Sequence, residues 1–224
     1  MIPAPPPSPV ALSASPPRIA LAARETRALW VTNPGRAAAV VAVVPAGYGL
    51  ALRGRPQVEP QRRPTWLRLT PSRLTLAPRS SGAVTVTTRP GRDLGPGDHA
   101  ALVVLRMQRR AGEIGVRMQI GVVVVLRVPG VVKHRLLVQE LKVRRSVLEL
   151  TVANSGNVGE RLTPRRVRIT LLRGGRVIER PRALIRELLP HTRGVVTIPY
   201  RARGAFRVVV AMGGARRTFE ARAP

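Results

Sequence analysis

The segment Thr65 to Met107, TWLRLTPSRLTLAPRSSGAVTVTTRPGRDLGPGDHAALVVLRM, decides the fold class. Leu67 and Leu69 alternate with polar neighbours, as do Leu74 and Leu76, then Val84 and Val86. A spacing of two places such side chains on one face of a half-buried strand. The pattern breaks at Pro71, at Pro78 to Gly82 and at Pro90 to Gly97. Proline has no amide donor and glycine admits positive φ, so these are turns between strands. Ala100 to Met107 follows the last turn as one more apolar run. Short strands at regular spacing predict a β-sandwich.

The remainder of the chain carries the same signals. Arg18 to Ala22, Thr26 to Thr32 and Ala38 to Val44 are strand-like, with a turn at Asn33-Pro34-Gly35 and a loop over Arg53 to Pro64. Gly115 to Val128 is a long strand ended by Pro129-Gly130. Beyond it, Arg135 to Val143, Val147 to Val152, Arg166 to Leu172, Arg176 to Glu179, Gly194 to Tyr200, Phe206 to Met212 and Ala215 to Ala221 repeat the two-residue period. Gly174-Gly175 and Gly213-Gly214 are hairpin signals. Ala183 to Leu189 fits a helical turn or a strand. The expectation is an all-β chain of two tandem immunoglobulin-like sandwiches, 18–129 and 130–224, after a proline-rich extended lead over 1–17.

Two landmarks recur in the same order in both halves. Asn33-Pro34-Gly35 and Asn154-Ser155-Gly156 each end a strand. Leu76-Ala77-Pro78 before Val84 and Val86 corresponds to Leu189-Pro190 before Val196 and Ile198. The match predicts two copies of one sandwich type.

Composition narrows the class of function. Lys+Arg number 39 against 11 Asp+Glu, a formal charge of +28, and only two of the basic residues are lysine. Such a charge favours anionic partners, although a coding bias toward arginine contributes to it. Aromatics are 3% of the chain, so the core is built from Val, Leu, Ile and Ala, and a base-stacking platform for nucleic acid is missing. With no cysteine, disulfides and thiolate metal sites are excluded. No apolar run approaches the ~20 residues of a membrane-spanning helix. Met1-Ile2-Pro3 leads into prolines without the basic start and apolar helix of a secretion signal.

The motifs VTNPGR, LTPSRLTLAPRSSGAVTVTTRP and LGPGDHAALVVL, over about Val10 to Val128, carry a resemblance to a known family. They resemble the N-terminal sandwich of bacterial WxL-interacting proteins and, more broadly, the PapD-type and major-sperm-protein-like immunoglobulin sandwiches. The resemblance implies an exported cell-envelope protein, with a peptidoglycan-associated first domain and a second domain that engages a partner.

Catalytic chemistry is not evident. His99, His134 and His191 are far apart and read as loop histidines, and Asp93 and Asp98 flank the Pro96-Gly97 turn as capping residues. There is no G-x-S-x-G elbow and no phosphate-binding glycine loop. Arginine pairs stand at 62–63, 109–110, 144–145, 165–166 and 216–217. Guanidinium forks bind phosphate and carboxylate in bidentate fashion. Trp30 is expected in the core, and Trp66, which shares the face of Arg68, at an exposed or junction position. The candidate ligand-binding residues are therefore Arg62, Arg63, Trp66, Arg68, Arg165, Arg166 and Arg168. The expected role is non-enzymatic and without cofactor: binding of anionic wall polymer or of a surface protein through a basic face and open strand edges. The alternatives are a chaperone or structural subunit of a surface filament that works by strand-edge pairing, which admits homo- or hetero-assembly, and a nucleic-acid-associated protein.

Overall fold

A computed structural model describes residues 11–111 and 114–223, the side chains of 108–117 excepted. Every regular element among them is a strand. The chain divides into two compact units, Met1–Tyr48 with Val58–Pro129, and Gly49–Gln57 with Gly130–Pro224. Both are sandwiches of the expected immunoglobulin-like kind.

The first ten strands are β1 (Ser13–Ser15), β2 (Arg18–Ala22), β3 (Thr26–Asn33), β4 (Ala39–Leu50), β5 (Pro56–Glu59), β6 (Leu67–Thr70), β7 (Arg73–Leu76), β8 (Ser80–Thr88), β9 (Gly97–Ala111) and β10 (Ile114–Val128). One sheet runs β1-β3-β8-β6, and the facing sheet runs β2-β10-β9-β4-β5, with β7 also on β4. Alternation sets what each strand buries. Leu29 and Val31 on β3, Val84 and Val86 on β8, and Val103 and Leu105 on β9 are fully enclosed between the sheets. The loop expected over 53–64 contains β5.

Trp30 and Trp66 exchange their expected places. Trp30 stands between Leu29 and Val31, so the period that buries those two turns it outward, where it is 54% exposed. Trp66 lies in the turn before β6, outside the strand's alternation, and packs into the core beside Leu67 at 6% exposure. Its carbonyl accepts the Arg89 N–H at 2.7 Å.

The second unit contains β11 (Leu136–Val143), β12 (Val147–Asn154), β13 (Glu160–Leu162), β14 (Val167–Arg173), β15 (Arg176–Glu179), β16 (Arg186–Leu188), β17 (Thr192–Pro199), β18 (Gly204–Met212) and β19 (Ala215–Ala223). They form the sheets β11-β12-β17, β13-β16 and β15-β14-β18-β19. Segment 183–189 therefore provides a strand and not a helical turn. Leu148, Leu150, Ile169, Leu171, Ile198 and Val208 form the centre of its core. Gly174-Gly175 (φ 54° and 80°) and Gly213-Gly214 (φ 59° and 82°) close two-residue hairpins, for which both turn residues need positive φ.

The matched landmarks form one structural device in two copies. Asn33 Oδ1 accepts the Gly35 N–H at 3.0 Å, and its Nδ2 donates to Ala37 O (2.9 Å), Ala77 O (3.1 Å) and Leu76 O (3.3 Å). Asn154 Oδ1 accepts the Gly156 N–H at 3.0 Å, and its Nδ2 donates to Val158 O (2.8 Å) and Leu189 O (3.1 Å). Both side chains are buried. The residues after the two prolines, Arg79 and His191, both have positive φ, at 54° and 56°. Next in sequence, Ser80 Oγ donates to Ala77 O and Thr192 Oγ1 donates to Leu189 O.

Candidate functional site

Two features of the molecule could hold a partner: an open strand edge in the first unit and a cluster of arginines in the second.

The edge belongs to β10. This strand pairs antiparallel with β9 along its whole length, from Ile114↔Ala111 to Val128↔Gly97. On its other side β2 pairs with it in parallel, but only over Val123 to Arg127. Among the described residues no strand pairs with that side of Ile114 to Val122. The direction of the backbone groups follows from one bond. The Val123 N–H is donated to Pro17 O at 3.2 Å, on the β2 side. In antiparallel pairing successive residues turn their N–H and C=O to alternate sides. Gly115, Arg117, Gln119 and Gly121 therefore direct their backbone groups to the open side. The even-numbered residues Met118 and Ile120 are half-buried against the core of the unit. The same apolar parity continues in sequence at Val116 and Ile114. Two of the four open positions are glycine, which leaves room for another backbone to approach. At the base of the hairpin, Arg127 and Asp98 form a bidentate pair, with Nη2 to Oδ2 at 2.9 Å. The Asp98 hydrogen bond raises the Arg127 guanidinium above its ordinary value. Asp98 thus also ties β10 to β9 through this pair.

The arginine cluster surrounds β14. Arg165, Arg168, Arg180 and Arg182 line a cavity of about 700 Å³ with Thr163, Pro164 and Thr170. Arg168 and Arg182 face each other directly across an isolated antiparallel bridge. Like charges directly opposite across strands are destabilising. A second cavity of about 300 Å³ shares Arg165 and Arg168 and adds Arg166 and Arg216. No carboxylate lines either cavity. Arg166 is engaged elsewhere: its Nη1 donates to Glu160 Oε2 at 2.6 Å, and His134 Nδ1 meets Oε1 of the same carboxylate at 2.6 Å. Glu160 is 2% exposed, and each of its carboxylate oxygens has one of these partners. The loop residue His134 thus makes a hydrogen bond to a buried carboxylate.

The seven residues anticipated from sequence fall into separate groups. Arg165 and Arg168 meet at the cavities, whereas Arg166 holds a buried carboxylate. In the first unit Arg62 is exposed and paired with Glu59 at 3.1 Å, Arg63 is exposed, and Arg68 points outward from β6. Trp66 is enclosed, at 6% exposure, and packs in the core of the unit. The side chains of Arg109 and Arg110 and the lead segment 1–10 lie outside the described residues. The β10 edge was beyond the reach of residue-type reasoning, because an edge is defined by which strands fail to pair.

No family model and no curated protein matches the sequence. Solved structures do match its fold. The class 5 fimbriae chaperone CfaA superimposes with a TM-score of 0.59 at 11% identity, covering 96% of this chain and 100% of that one. A chain of the CsuC–CsuE chaperone–tip adhesion subunit complex from Csu pili of Acinetobacter baumannii gives 0.56 at 12% identity, covering 96% and 99%. A chain of the Salmonella enterica SafA pilin–SafB chaperone complex gives 0.55 at 14% identity, covering 95% and 96%. The fold is the PapD-like pair of immunoglobulin-like sandwiches. The narrower likeness to WxL-interacting proteins gains nothing from these matches.

Proposed function

We propose that this chain is an envelope chaperone for subunits of a surface filament, and that it lends the open edge of β10 to a strand-deficient subunit. The observation that carries the reading is the side of Ile114 to Val122 that no strand pairs among the described residues, with four backbone N–H and C=O sets turned outward. A partner strand added there gains main-chain hydrogen bonds, and the alternating apolar residues give it register. Solved structures of the same fold include the SafA pilin in complex with its SafB chaperone, which supports the reading by analogy of fold. The work is non-covalent and requires no cofactor.

The test uses the backbone. Gln119→Pro removes one outward N–H without breaking a β9–β10 bond, and proline is tolerated at strand edges. Tagged wild type, expressed in its own cells, is expected to co-purify with one β-rich subunit, with the amides of Gly115, Arg117, Gln119 and Gly121 protected from hydrogen exchange in the complex. Gln119→Pro should lose the subunit. Undiminished capture by that variant, or no added protection at those amides, overturns the proposal.

A second reading rests on the Arg168–Arg182 bridge: the arginine cavities take an anionic polymer. An anion between the two guanidiniums would relieve their repulsion. Sedimentation with isolated wall material at about 0.15 M salt tests it, where exposed charges more than about 8 Å apart are screened. Arg168→Gln and Arg182→Gln should weaken sedimentation more than Arg36→Gln does. Equal losses would reduce the effect to net charge.

A further inference from the structure

The outer face of the β1-β3-β8-β6 sheet gathers hydroxyl side chains around one exposed tryptophan. Its centre is Trp30, 54% exposed. Cross-strand register gives its neighbours: Ser15 on β1, Ala83 on β8, and Ala28 and Thr32 two residues away along β3. Most of the remaining positions carry hydroxyls. Thr32 pairs with Ser13 and Ser81, Ala28 with Thr85, and Thr26 with Thr87. On β6, Thr70 and Arg68 complete the face, opposite Thr85 and Thr87. Two hydroxyl pairs are already bonded, Thr26 Oγ1 to Thr87 Oγ1 at 3.0 Å and Thr32 Oγ1 to Ser81 Oγ at 2.7 Å. The four strands and the length of β3 span a face of about 14 by 20 Å.

Its charge stands out from the rest of the chain. Among the described strand positions of this face Arg68, at one corner, is the only charged side chain, on a protein of net charge +28. The outward positions of the second unit's β14-β18-β19 ladder, by contrast, hold Arg168, Arg207, Arg216 and Arg222 with one acid, Glu220, which pairs with Arg207 at 2.8 Å. An acidic protein would be drawn to those arginines. A second copy of the chain would bring another +28 with it. An apolar protein partner is poorly served, because among the described strand positions of this face Trp30 is the only large apolar side chain and protein interfaces bury several. A neutral ligand rich in hydroxyls fits.

We infer that this face binds a neutral, extended polysaccharide chain, with one sugar ring lying flat on the Trp30 indole. The negative face of the ring attracts the positively polarised axial C–H bonds of a sugar. Ala28 and Ala83 leave the indole uncovered on two sides. The serine and threonine hydroxyls, each both donor and acceptor and free to rotate, meet the sugar hydroxyls in either role. The site is separate from the β10 edge, which belongs to the facing sheet, and does not depend on the chaperone reading.

The probes are a β-1,4-linked glucose hexamer and a β-1,4-linked N-acetylglucosamine hexamer, titrated into the full chain by calorimetry and by iodide quenching of tryptophan. Because Trp66 is enclosed, Trp30 supplies the accessible fluorescence. One or both hexamers should bind, protect Trp30 from iodide and shift its emission to the blue. Trp30→Ala should weaken binding at least about tenfold by calorimetry at an unchanged Tm, Trp30→Phe less so, and Thr85→Val by about threefold. Absence of binding to either hexamer at about 10 mM overturns the inference, as does binding that survives Trp30→Ala. A dimer in sedimentation equilibrium that Trp30→Ala dissolves, without sugar binding, overturns it too and assigns the face to a second copy.

Discussion

Asn33 and Asn154, 121 positions apart, make the same tie in two different sandwiches: each side chain accepts from the glycine two residues on and donates to the carbonyl four residues on. Each also reaches a carbonyl of the segment that ends in Leu-Ala-Pro or Leu-Pro. Both side chains are almost wholly enclosed, at 2% and 1% exposure. Each bond is worth about 1 kcal/mol net, and an orphaned buried partner costs more. Asn33→Ala and Asn154→Ala should therefore each lower stability by about 2–4 kcal/mol in urea titration. A loss below about 1 kcal/mol in either would mean that water replaces the amide.

The two glycines of these corners differ, although the sequence treats them alike. A Cβ at Gly156 would lie 2.1 Å from Lys133 O and 2.9 Å from Arg135 N, both backbone atoms. At Gly35 the nearest atom is Asn33 Oδ1, at 3.0 Å. Gly156→Ala should cost more than about 2 kcal/mol or prevent folding, and Gly35→Ala about 1 kcal/mol. Thermal melts of the pair provide the comparison.

Neighbouring arginines should separate by role. Arg166→Gln removes a donor from the buried Glu160 carboxylate and should lower stability by about 1–3 kcal/mol. Arg165→Gln touches only the cavities and should leave the melt within about 0.5 kcal/mol of wild type while weakening anion binding. A reversed pattern would assign the anion site to Arg166.

Two groups set limbs of the pH–stability curve. Glu25 accepts the Ala22 N–H and the Arg27 guanidinium, and these bonds hold its carboxyl below the ordinary value of 4.5. A lowered folded pKa contributes stability above the unfolded value and loses it as pH falls through the folded one. Glu25→Gln should flatten the curve below about pH 4.5. Burial raises Tyr200 above its ordinary 10.0, so its contribution is complete below pH 10 and is lost as pH rises beyond it. Tyr200→Phe should remove that alkaline limb, at the expense of the bond from its hydroxyl to Arg144 O (2.9 Å). Urea titrations from pH 3 to 11 read both.

The alternation of Leu67 with Leu69 and of Val84 with Val86 was sufficient to identify strands, because a half-buried face leaves that mark in the residues themselves. The twin Asn-x-Gly corners were legible for a similar reason, since local bonds favour particular residue types. The tryptophans misled. Its place on a strand suggested that Trp30 was core, but its parity, opposite to that of Leu29 and Val31, places it outside, and Trp66 sits in a turn where parity has no meaning. The arginines could be counted but not sorted. Only coordinates show that Arg166 is bound to Glu160 while Arg168 faces Arg182. The vacant side of β10 leaves no residue signature at all, because it depends on where β2 stops.

That vacancy has a consequence for the protein in concentrated solution. An unpaired, apolar-flanked border is an invitation to stick, copy upon copy. The surplus of +28 acts as a spacer, holding copies apart while counter-ions are scarce. Added electrolyte shortens the reach of that repulsion to about 3 Å at 1 M. A stock kept in dilute buffer should stay clear, and the same stock should scatter light as salt is raised.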